Sequence, residues 1–199
     1  MEFNRPLILA SRSPRRLALL RQLGISPEVV PAAIDETFDD QLSPEDNVLR
    51  IAERKARAVS RLRTDSLVLA ADTTVVLDSH ILGKPTNEDD AVRMLQKLSG
   101  RTHLVHTGFA VINPGDDDIR SGVESTKVTF RPLPLAEIKE YVEGGSPMDK
   151  AGAYGIQDDY GAVFVTRIEG CFYNVMGLPF ARVFQALNSF RQQEVSKDR

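Results

Sequence analysis

The fold of this protein is decided by residues 67–77, which read LVLAADTTVVL. An apolar run leads to one acid, Asp72, and then continues to Leu77, where the turn-forming residues of 78–80 follow. A short apolar run that ends in turn-forming residues predicts a buried β-strand. Because ligands of open α/β sheets tend to bind outside the carboxyl ends of strands, Asp72 is a candidate functional residue.

Strands and helices alternate on both sides of this stretch. Residues 6–10 predict a first strand, and Ser13 followed by Pro14 predicts the N-cap and first turn of a helix that Gly24 ends. The other predicted elements are, in chain order, a strand near Val29-Val30, a helix from Ser43 to about Leu62, a strand ending at Gly83-Lys84-Pro85, a helix from Asn87 to Leu98, a hairpin with arms at about 103–113 and 119–131 and its tip at Pro114-Gly115-Asp116, a helix near 134–142, a loop at 144–157, a strand at 161–168, a loop at 169–178 and a helix from Pro179 to about Asn188.

No repeat or low-complexity linker divides the chain. The interleaved elements therefore predict a mixed α/β (α+β) fold in a single domain over residues 1–199, with a frayed tail at about 190–199.

Composition limits the classes of partner. The chain has 199 residues, 42% of them hydrophobic, and a formal net charge of -3, so it can bury a core and has no bulk field that would attract nucleic acid or a membrane. Its N-terminal apolar run is shorter than the roughly 7–15 residues of a signal peptide, which predicts a cytoplasmic protein. The single cysteine, Cys171, cannot form an internal disulfide.

A candidate phosphate site lies at the start of the first predicted helix. Residues 11–16, SRSPRR, place two hydroxyls (Ser11 and Ser13) and three arginines (Arg15 and Arg16 among them) where unpaired backbone N–H groups attract an anion. Cations at a helix N-terminus oppose the helix dipole, which favours an anionic ligand. The alternative is an N-cap followed by solvated arginines.

Lys55 occupies an unusual place in the second predicted helix. Apolar residues recur at helical spacing on both sides of it, and Lys55 falls in the middle of that stripe. A lysine there is harder to extend to water than one at the edge of the stripe. The pattern therefore predicts an anionic partner for its ammonium group.

Three further residues complete a set that suits phosphoryl chemistry. Glu36 follows an early strand, Asp72 ends a buried one, and Lys84 lies next to a turn. Carboxylates with lysines and arginines are suited to Mg²⁺-assisted attack on a phosphoryl group, because hard cations take oxygen ligands and bridge to substrate phosphates. Glu36 and Asp72 are the predicted ligands of a divalent cation (Mg²⁺, Mn²⁺ or Co²⁺).

Other motifs are absent or weak. The chain has no P-loop, no Gly-x-Gly-x-x-Gly and no Gly-x-Ser-x-Gly. His103 and His106 lack metal-ligand spacing and are predicted to be structural strand residues. The loop at 149–157, DKAGAYGIQ, ends in an amide, Gln157, whose donor and acceptor could meet the edge of a nucleobase.

Several blocks together resemble the Maf (septum formation inhibitor) family over nearly the whole chain. They are LASRSPRR at 9–16, RKA at 54–56, ADT at 71–73, GKP at 83–85, KAGAYGIQ at 150–157 and NVMGLP at 174–179. The resemblance implies a nucleotide pyrophosphatase with the fold of inosine triphosphate pyrophosphatases, a mixed twisted sheet in which two lobes flank a substrate cleft, and a homodimer.

The resemblance also implies substrates and roles. The ADT and KAGAYGIQ blocks are similar to the subgroup that converts dTTP and UTP to the monophosphate and pyrophosphate. By that comparison Asp72 is the proton acceptor and Arg15, Thr73 and Gln157 select the base. Glu36, Lys55 and Lys84 match other polar cleft positions; Asp35 lies beside Glu36 in a loop without a sharp motif.

Three alternatives remain open at this point. A non-catalytic regulator could sense a nucleotide in the same cleft and bind a cell-division partner. A pyrophosphatase for modified pyrimidine nucleotides would carry the same residues, and a simple phosphatase would release orthophosphate. House-cleaning and cell-division arrest are both roles that the resemblance permits.

Overall fold

A computed structural model describes residues 5–115, 117–157 and 159–197. Asp116, part of the predicted hairpin tip, lies outside the described residues, as do residues 198–199 of the predicted tail. The strands are β1 (Leu7–Leu9), β2 (Glu28–Val29), β3 (Leu67–Leu77), β4 (His80–Leu82), β5 (Thr102–Asn113), β6 (Asp118–Phe130) and β7 (Val165–Glu169). The α-helices are α1 (Pro14–Gln22), α2 (Pro44–Ser60), α3 (Glu88–Leu98), α4 (Leu135–Glu143), α5 (Asp159–Phe164), α6 (Phe172–Val175) and α7 (Phe180–Lys197).

The strands of the described chain form one mixed sheet. Its hydrogen-bonded order is β2-β1-β3-β5-β6-β7, and β4 pairs with β3. β1 is parallel to β2 and to β3, whereas β4 runs antiparallel to β3 and β7 antiparallel to β6. The predicted mixed α/β fold is confirmed. No helix within the described ranges combines the length and apolar character needed to span a bilayer.

The chain divides into two compact units. Unit 1 contains Met1–Asp72, Thr107–Glu124 and Gly177–Arg199, and unit 2 contains Thr73–His106 and Ser125–Met176. Strands β3, β5 and β6 each contribute residues to both units. The prediction of one domain with two lobes stays a prediction.

Unit 1 is built around α2, whose start follows from its sequence. Ser43 accepts a hydrogen bond from the backbone N–H of Asp46 at 3.0 Å, and Pro44 opens the first turn, as the capping pattern predicts. The apolar face of α2 packs against strands β1, β3 and β5. The buried residues of this core are Ile8, Ala10, Ala52, Ala56, Val59, Val68, Ala70, Ala110 and Ile112.

Unit 2 has a separate core around α3 and a group of aromatic rings. Asn87 caps α3 by accepting from the N–H of Asp90 at 2.9 Å, as predicted. Ring centroids of Phe130 lie 4.7 Å from Tyr154 and 5.8 Å from Phe164, each pair edge to face. These rings fill the space beside α4, which contributes Tyr141 to the same core.

The sequence prediction of a strand at 161–168 is wrong in its first half. Residues Asp159–Phe164 form the short helix α5, and β7 begins only at Val165. The apolar run there is too short for periodicity to separate a helical turn from a strand. Packing decides the outcome, because Phe164 is fully buried and its ring meets Tyr141 at 5.1 Å.

Three other boundaries differ from the prediction. The loop at 144–157 contains two 3₁₀ turns, Ser146–Asp149 and Ala151–Ala153, and the loop at 169–178 contains α6. Helix α7 runs to Lys197 rather than ending near Asn188. Short turns leave little periodic signal in a sequence. Fraying of the tail stays a prediction.

The close approach of β5 to α2 gives a stability test. A Cβ atom at Gly108 would lie 2.4 Å from the carbonyl oxygen of Val48, which is backbone and cannot rotate away. We expect Gly108→Ala to lower the free energy of unfolding by about 2 kcal/mol or more, measured by urea denaturation.

Gly83→Ala is the matched control. Its Cβ would meet no atom within 4 Å, so the same methyl group is added at no steric cost. Equal losses of stability in both variants would contradict the packing explanation.

Candidate active site

Lys55 lies at the centre of the candidate site in unit 1. It extends from the buried face of α2, and its Nζ donates to Glu36 Oε2 at 2.6 Å and to Asp72 Oδ1 at 2.8 Å. Only 9% of the Lys55 side chain is exposed. The predicted anionic partner of Lys55 is confirmed, and one ammonium joins a helix, a loop and a strand.

Asp72 is placed by β3. The residues before it, Ala70 and Ala71, are fully buried, and its own side chain is only 13% exposed. Burial raises the pKa of Asp72, while the positive charges of Lys55 and Arg16 act in the opposite direction. A carboxylate with a raised pKa is a better proton acceptor than one at the surface.

The acidic loop presents Glu36 rather than its neighbour Asp35 to the lysine. Asp35 Oδ1 accepts from the backbone N–H of Thr37 at 2.9 Å and from its hydroxyl at 2.6 Å, which closes an Asx turn. These hydrogen bonds lower the pKa of Asp35. Glu36 lies between the two turn residues and remains 51% exposed at its side chain.

Asn47 fixes this loop to α2, and the sequence interpretation missed it. Its Oδ1 accepts from the N–H of Asp39 at 2.8 Å, and its Nδ2 donates to the carbonyls of Asp39 and Leu42 at 2.9 and 3.3 Å. A buried amide in the first turn of a helix is a signal that could have found it, since such a group needs partners.

The segment before α1 forms a tight local network. Ser13 has the backbone of an N-cap, but its side chain makes no cap bond; its N–H donates to Ser11 Oγ at 3.1 Å. Arg16 is buried and donates from Nη1 to Ser11 Oγ at 3.1 Å and from Nε to the Gly177 carbonyl at 2.7 Å. The solvated-arginine alternative therefore fails for Arg16.

The buried Arg16 also contributes charge to the site. Burial lowers its pKa, and Asp72 raises it, so each group favours the charged form of the other. Arg15, the next residue toward the N-terminus, is half-buried. The roles of Ser11, Ser13, Arg15 and Arg16 toward a substrate stay predictions.

The remaining predicted site residues belong to unit 2. Thr73 follows Asp72 directly on β3, Lys84 is exposed after β4, and Gln157 is half-buried at the end of its loop. Within unit 2 the Gly152 N–H donates to the Gly83 carbonyl at 3.0 Å, so the segments that carry Lys84 and Gln157 are joined. Their roles also stay predictions.

A divalent cation fits the donor set. No cluster of three or more His, Cys, Asp or Glu side chains that could hold a metal occurs in the described ranges. Glu36 and Asp72 nevertheless bring two carboxylate oxygens to a single ammonium. Mg²⁺ usually binds through one or two carboxylates plus waters and substrate phosphates, so two protein ligands suffice.

The two strand histidines were predicted to be satisfied structural residues, but Nδ1 of His103 is buried without a hydrogen-bond partner among the described residues. His103 and His106 are both buried on β5; His103 Nε2 bonds the Tyr154 hydroxyl at 2.8 Å and His106 Nδ1 bonds Ser125 Oγ at 2.7 Å.

The candidate site in unit 1 combines a basic carboxylate, a second carboxylate and fixed cations. Such a group can bind a charged phosphate and deprotonate water.

Comparison with known proteins identifies the family. A family model described as "Maf-like protein" matches residues 6–190. The chain belongs to the Maf family. A relative from Salinibacter ruber, named dTTP/UTP pyrophosphatase, is 45% identical over 189 residues, which cover 95% of this chain and 93% of the relative. A relative of the same name from Caldicellulosiruptor bescii is 48% identical and covers 89% and 90%.

A solved structure supports the fold of this Maf chain. The structure of a HAM1 protein from Coxiella burnetii aligns with a TM-score of 0.50 and covers 96% of this chain and 99% of its own. The two sequences are only 17% identical, so the likeness concerns the fold alone.

Asp72 and Asp35 give a pH test with opposite signs. The raised pKa of Asp72 means that folding favours its protonated form, so its contribution to stability is present at low pH and lost as pH rises through that pKa. We therefore expect Asp72→Asn to gain stability relative to the wild type as pH rises above about 4, the ordinary pKa of an aspartate, measured by urea unfolding with chelator.

Asp35→Asn is the control, because an amide preserves the Asx turn. The lowered pKa of Asp35 gives stability that is present above its ordinary pKa and lost as pH falls. This variant should lose stability relative to the wild type as pH rises toward about 4, the ordinary pKa of an aspartate, and the difference should stay constant above that pH. Parallel pH profiles for the two variants would contradict the assignment.

Proposed function

We propose that this chain hydrolyses dTTP and UTP to the nucleoside monophosphate and pyrophosphate. Relatives that are 45% and 48% identical over nearly their whole length carry that name, and the chain is a member of their family. The observation that carries the proposal is the ion-paired group in which Lys55 holds Glu36 and Asp72 together.

Asp72 is the proton acceptor in this proposal. Its carboxylate is buried beside two cations, and burial raises its pKa, so it can orient a water molecule and take a proton from it. The water attacks the α-phosphorus, and pyrophosphate leaves. Glu36 and Asp72 would hold a divalent cation, which supplies Lewis-acid activation of the phosphate when bound.

Fixed positive charges act on the triphosphate. Lys55, Lys84 and Arg15 neutralise negative charge as it develops on the phosphates, and the buried Arg16 adds a charge that does not need to reorganise. The Ser11 and Ser13 region supplies further hydrogen-bond donors at the start of α1.

Thr73 and Gln157 select the pyrimidine in this proposal. An amide side chain offers one donor and one acceptor, which can pair with adjacent groups on a uracil or thymine edge. A purine would have to displace that contact. Modified pyrimidine triphosphates carry the same edge and fall within the same proposal.

The proposal includes the setting of the reaction. We place the enzyme in the cytoplasm as a homodimer that uses Mg²⁺, Mn²⁺ or Co²⁺, acts on free nucleotides and needs neither nucleic acid nor a membrane. Its proposed task is removal of nucleotides from the pool, and the family resemblance extends the proposal to a role in cell-division arrest.

The first experiment measures pyrophosphate release from dTTP, UTP, CTP, 7-methyl-GTP and ATP, with Mg²⁺, Mn²⁺, Co²⁺ or chelator. We expect selective, cation-dependent release from dTTP and UTP. Release mainly from 7-methyl-GTP would overturn the base assignment, orthophosphate as the product would indicate a phosphatase, and no release would favour a non-catalytic regulator.

Asp72→Asn then tests the proton acceptor. We expect turnover of dTTP to fall on the order of 100-fold or more while the chain stays folded by circular dichroism. Asp35→Asn changes the carboxylate next to Glu36, whose oxygen is used in a turn, and this variant should keep near-wild-type turnover. A near-normal rate for Asp72→Asn would remove Asp72 from this role.

A further inference from the structure

The segment at 150–157 is attached to the interior of unit 2 at several points. The Gly152 N–H donates to the Gly83 carbonyl at 3.0 Å, and the Gly155 N–H donates to the Tyr141 hydroxyl at 3.3 Å. Between them the Tyr154 hydroxyl bonds His103 Nε2 at 2.8 Å. These contacts end two residues before Gln157, so they hold the backbone from which the chain continues to Gln157.

The backbone of this segment is strained. Gly152 has φ +70°, and a Cβ there would lie 2.9 Å from a methyl group of Val75. The next residue, Ala153, has φ 62° although it is not glycine. Non-glycine residues persist in that region only where their surroundings hold them, and such residues cluster at functional sites.

The bond between Tyr154 and His103 is a buried contact between two neutral groups. Burial lowers the pKa of His103 to about 4 and raises the pKa of Tyr154 above its ordinary value. Among the described residues, His103 Nδ1 has no hydrogen-bond partner, so the imidazole makes its hydrogen bond only through Nε2. Loss of the tyrosine hydroxyl would leave both ring nitrogens buried without a partner.

Aromatic rings pack around this bond. His103 meets the Phe130 ring edge to face at 5.0 Å and the Tyr154 ring at 5.3 Å. Packing brings the two rings together, and the hydroxyl adds the polar contact that ties the 150–157 segment to His103 on β5.

We propose that Tyr154 and His103 are positioning residues for base selection: their hydrogen bond holds the 150–157 segment so that the Gln157 amide meets the pyrimidine edge in one orientation. The inference rests on the proposed function, in which Gln157 reads the base. The bond from Gly152 to Gly83 places the residue before Lys84 in the same network, so one set of contacts holds the base-reading and phosphate-binding segments.

A positioning role predicts a specific kinetic pattern. Tyr154→Phe removes only the hydroxyl and keeps the ring. We expect the KM for UTP to rise roughly 3- to 10-fold, as loss of one hydrogen bond allows, with kcat changed by less than about 2-fold. The ratio of kcat/KM for UTP to that for CTP should fall by several-fold, because a loosened amide discriminates less between the two edges.

Tyr160→Phe is the matched control. It removes the same hydroxyl from an exposed tyrosine, which donates to Glu140 Oε1 at 3.1 Å. Its KM and its UTP-to-CTP ratio should equal those of the wild type. In a His103→Leu background, Tyr154→Phe should have no further effect on the ratio if the hydroxyl acts through the imidazole.

Hydrogen–deuterium exchange provides a readout that does not need substrate. Amides of the 150–157 segment should exchange faster in Tyr154→Phe than in the wild type or Tyr160→Phe. Unchanged exchange, or an equal change of kcat and KM for every nucleotide, would overturn the proposal. Failure of the proposed function is distinguishable, because the wild type itself would then release no pyrophosphate from UTP.

Discussion

The rest of the candidate site depends on one desolvated ammonium shared by two carboxylates. Lys55 lies on the apolar face of α2 and meets both Glu36 and Asp72 within 2.8 Å. A buried cation without anions would be costly, so the loop that carries Glu36 and the strand that carries Asp72 must both reach it. Buried ion pairs are poor sources of stability because desolvation offsets their attraction. Their value here lies in placing two acids at one point.

Burial of Asp72 lowers the stability of the folded chain and makes its carboxylate more basic. Burial raises the pKa of Asp72 even though Lys55 and Arg16 favour its charged form, so the carboxylate is held in a setting that disfavours its charge. The same setting makes it a stronger base than a solvated aspartate. Enzymes commonly keep destabilised groups of this kind at their active sites. In unit 2, the positive φ of Ala153 is likewise held by contacts on either side, from Gly152 to Gly83 and from Gly155 to Tyr141.

The sequence predicted what periodicity and composition control. The apolar pattern placed Asp72 on a buried strand and Lys55 among apolar helix residues, and from that burial an anionic partner followed. Glu36 was predicted on weaker grounds than Asp72, because the choice between Glu36 and Asp35 depends on the turn with Thr37 and on distant bonds from Asn47, which the sequence pattern does not show. Helix α5 and the 3₁₀ turns were missed because packing in the core of unit 2, not local pattern, decides short segments.

The most direct test of the central claim follows the oxygen atom of the attacking water. Hydrolysis of dTTP by the wild-type enzyme in water labelled with oxygen-18 should place the label in thymidine monophosphate and leave pyrophosphate unlabelled, as mass spectrometry of both products would show. That result would establish attack at the α-phosphorus, which the paired carboxylates are proposed to direct. Label in pyrophosphate or orthophosphate would contradict it, because the water would then have attacked another phosphorus.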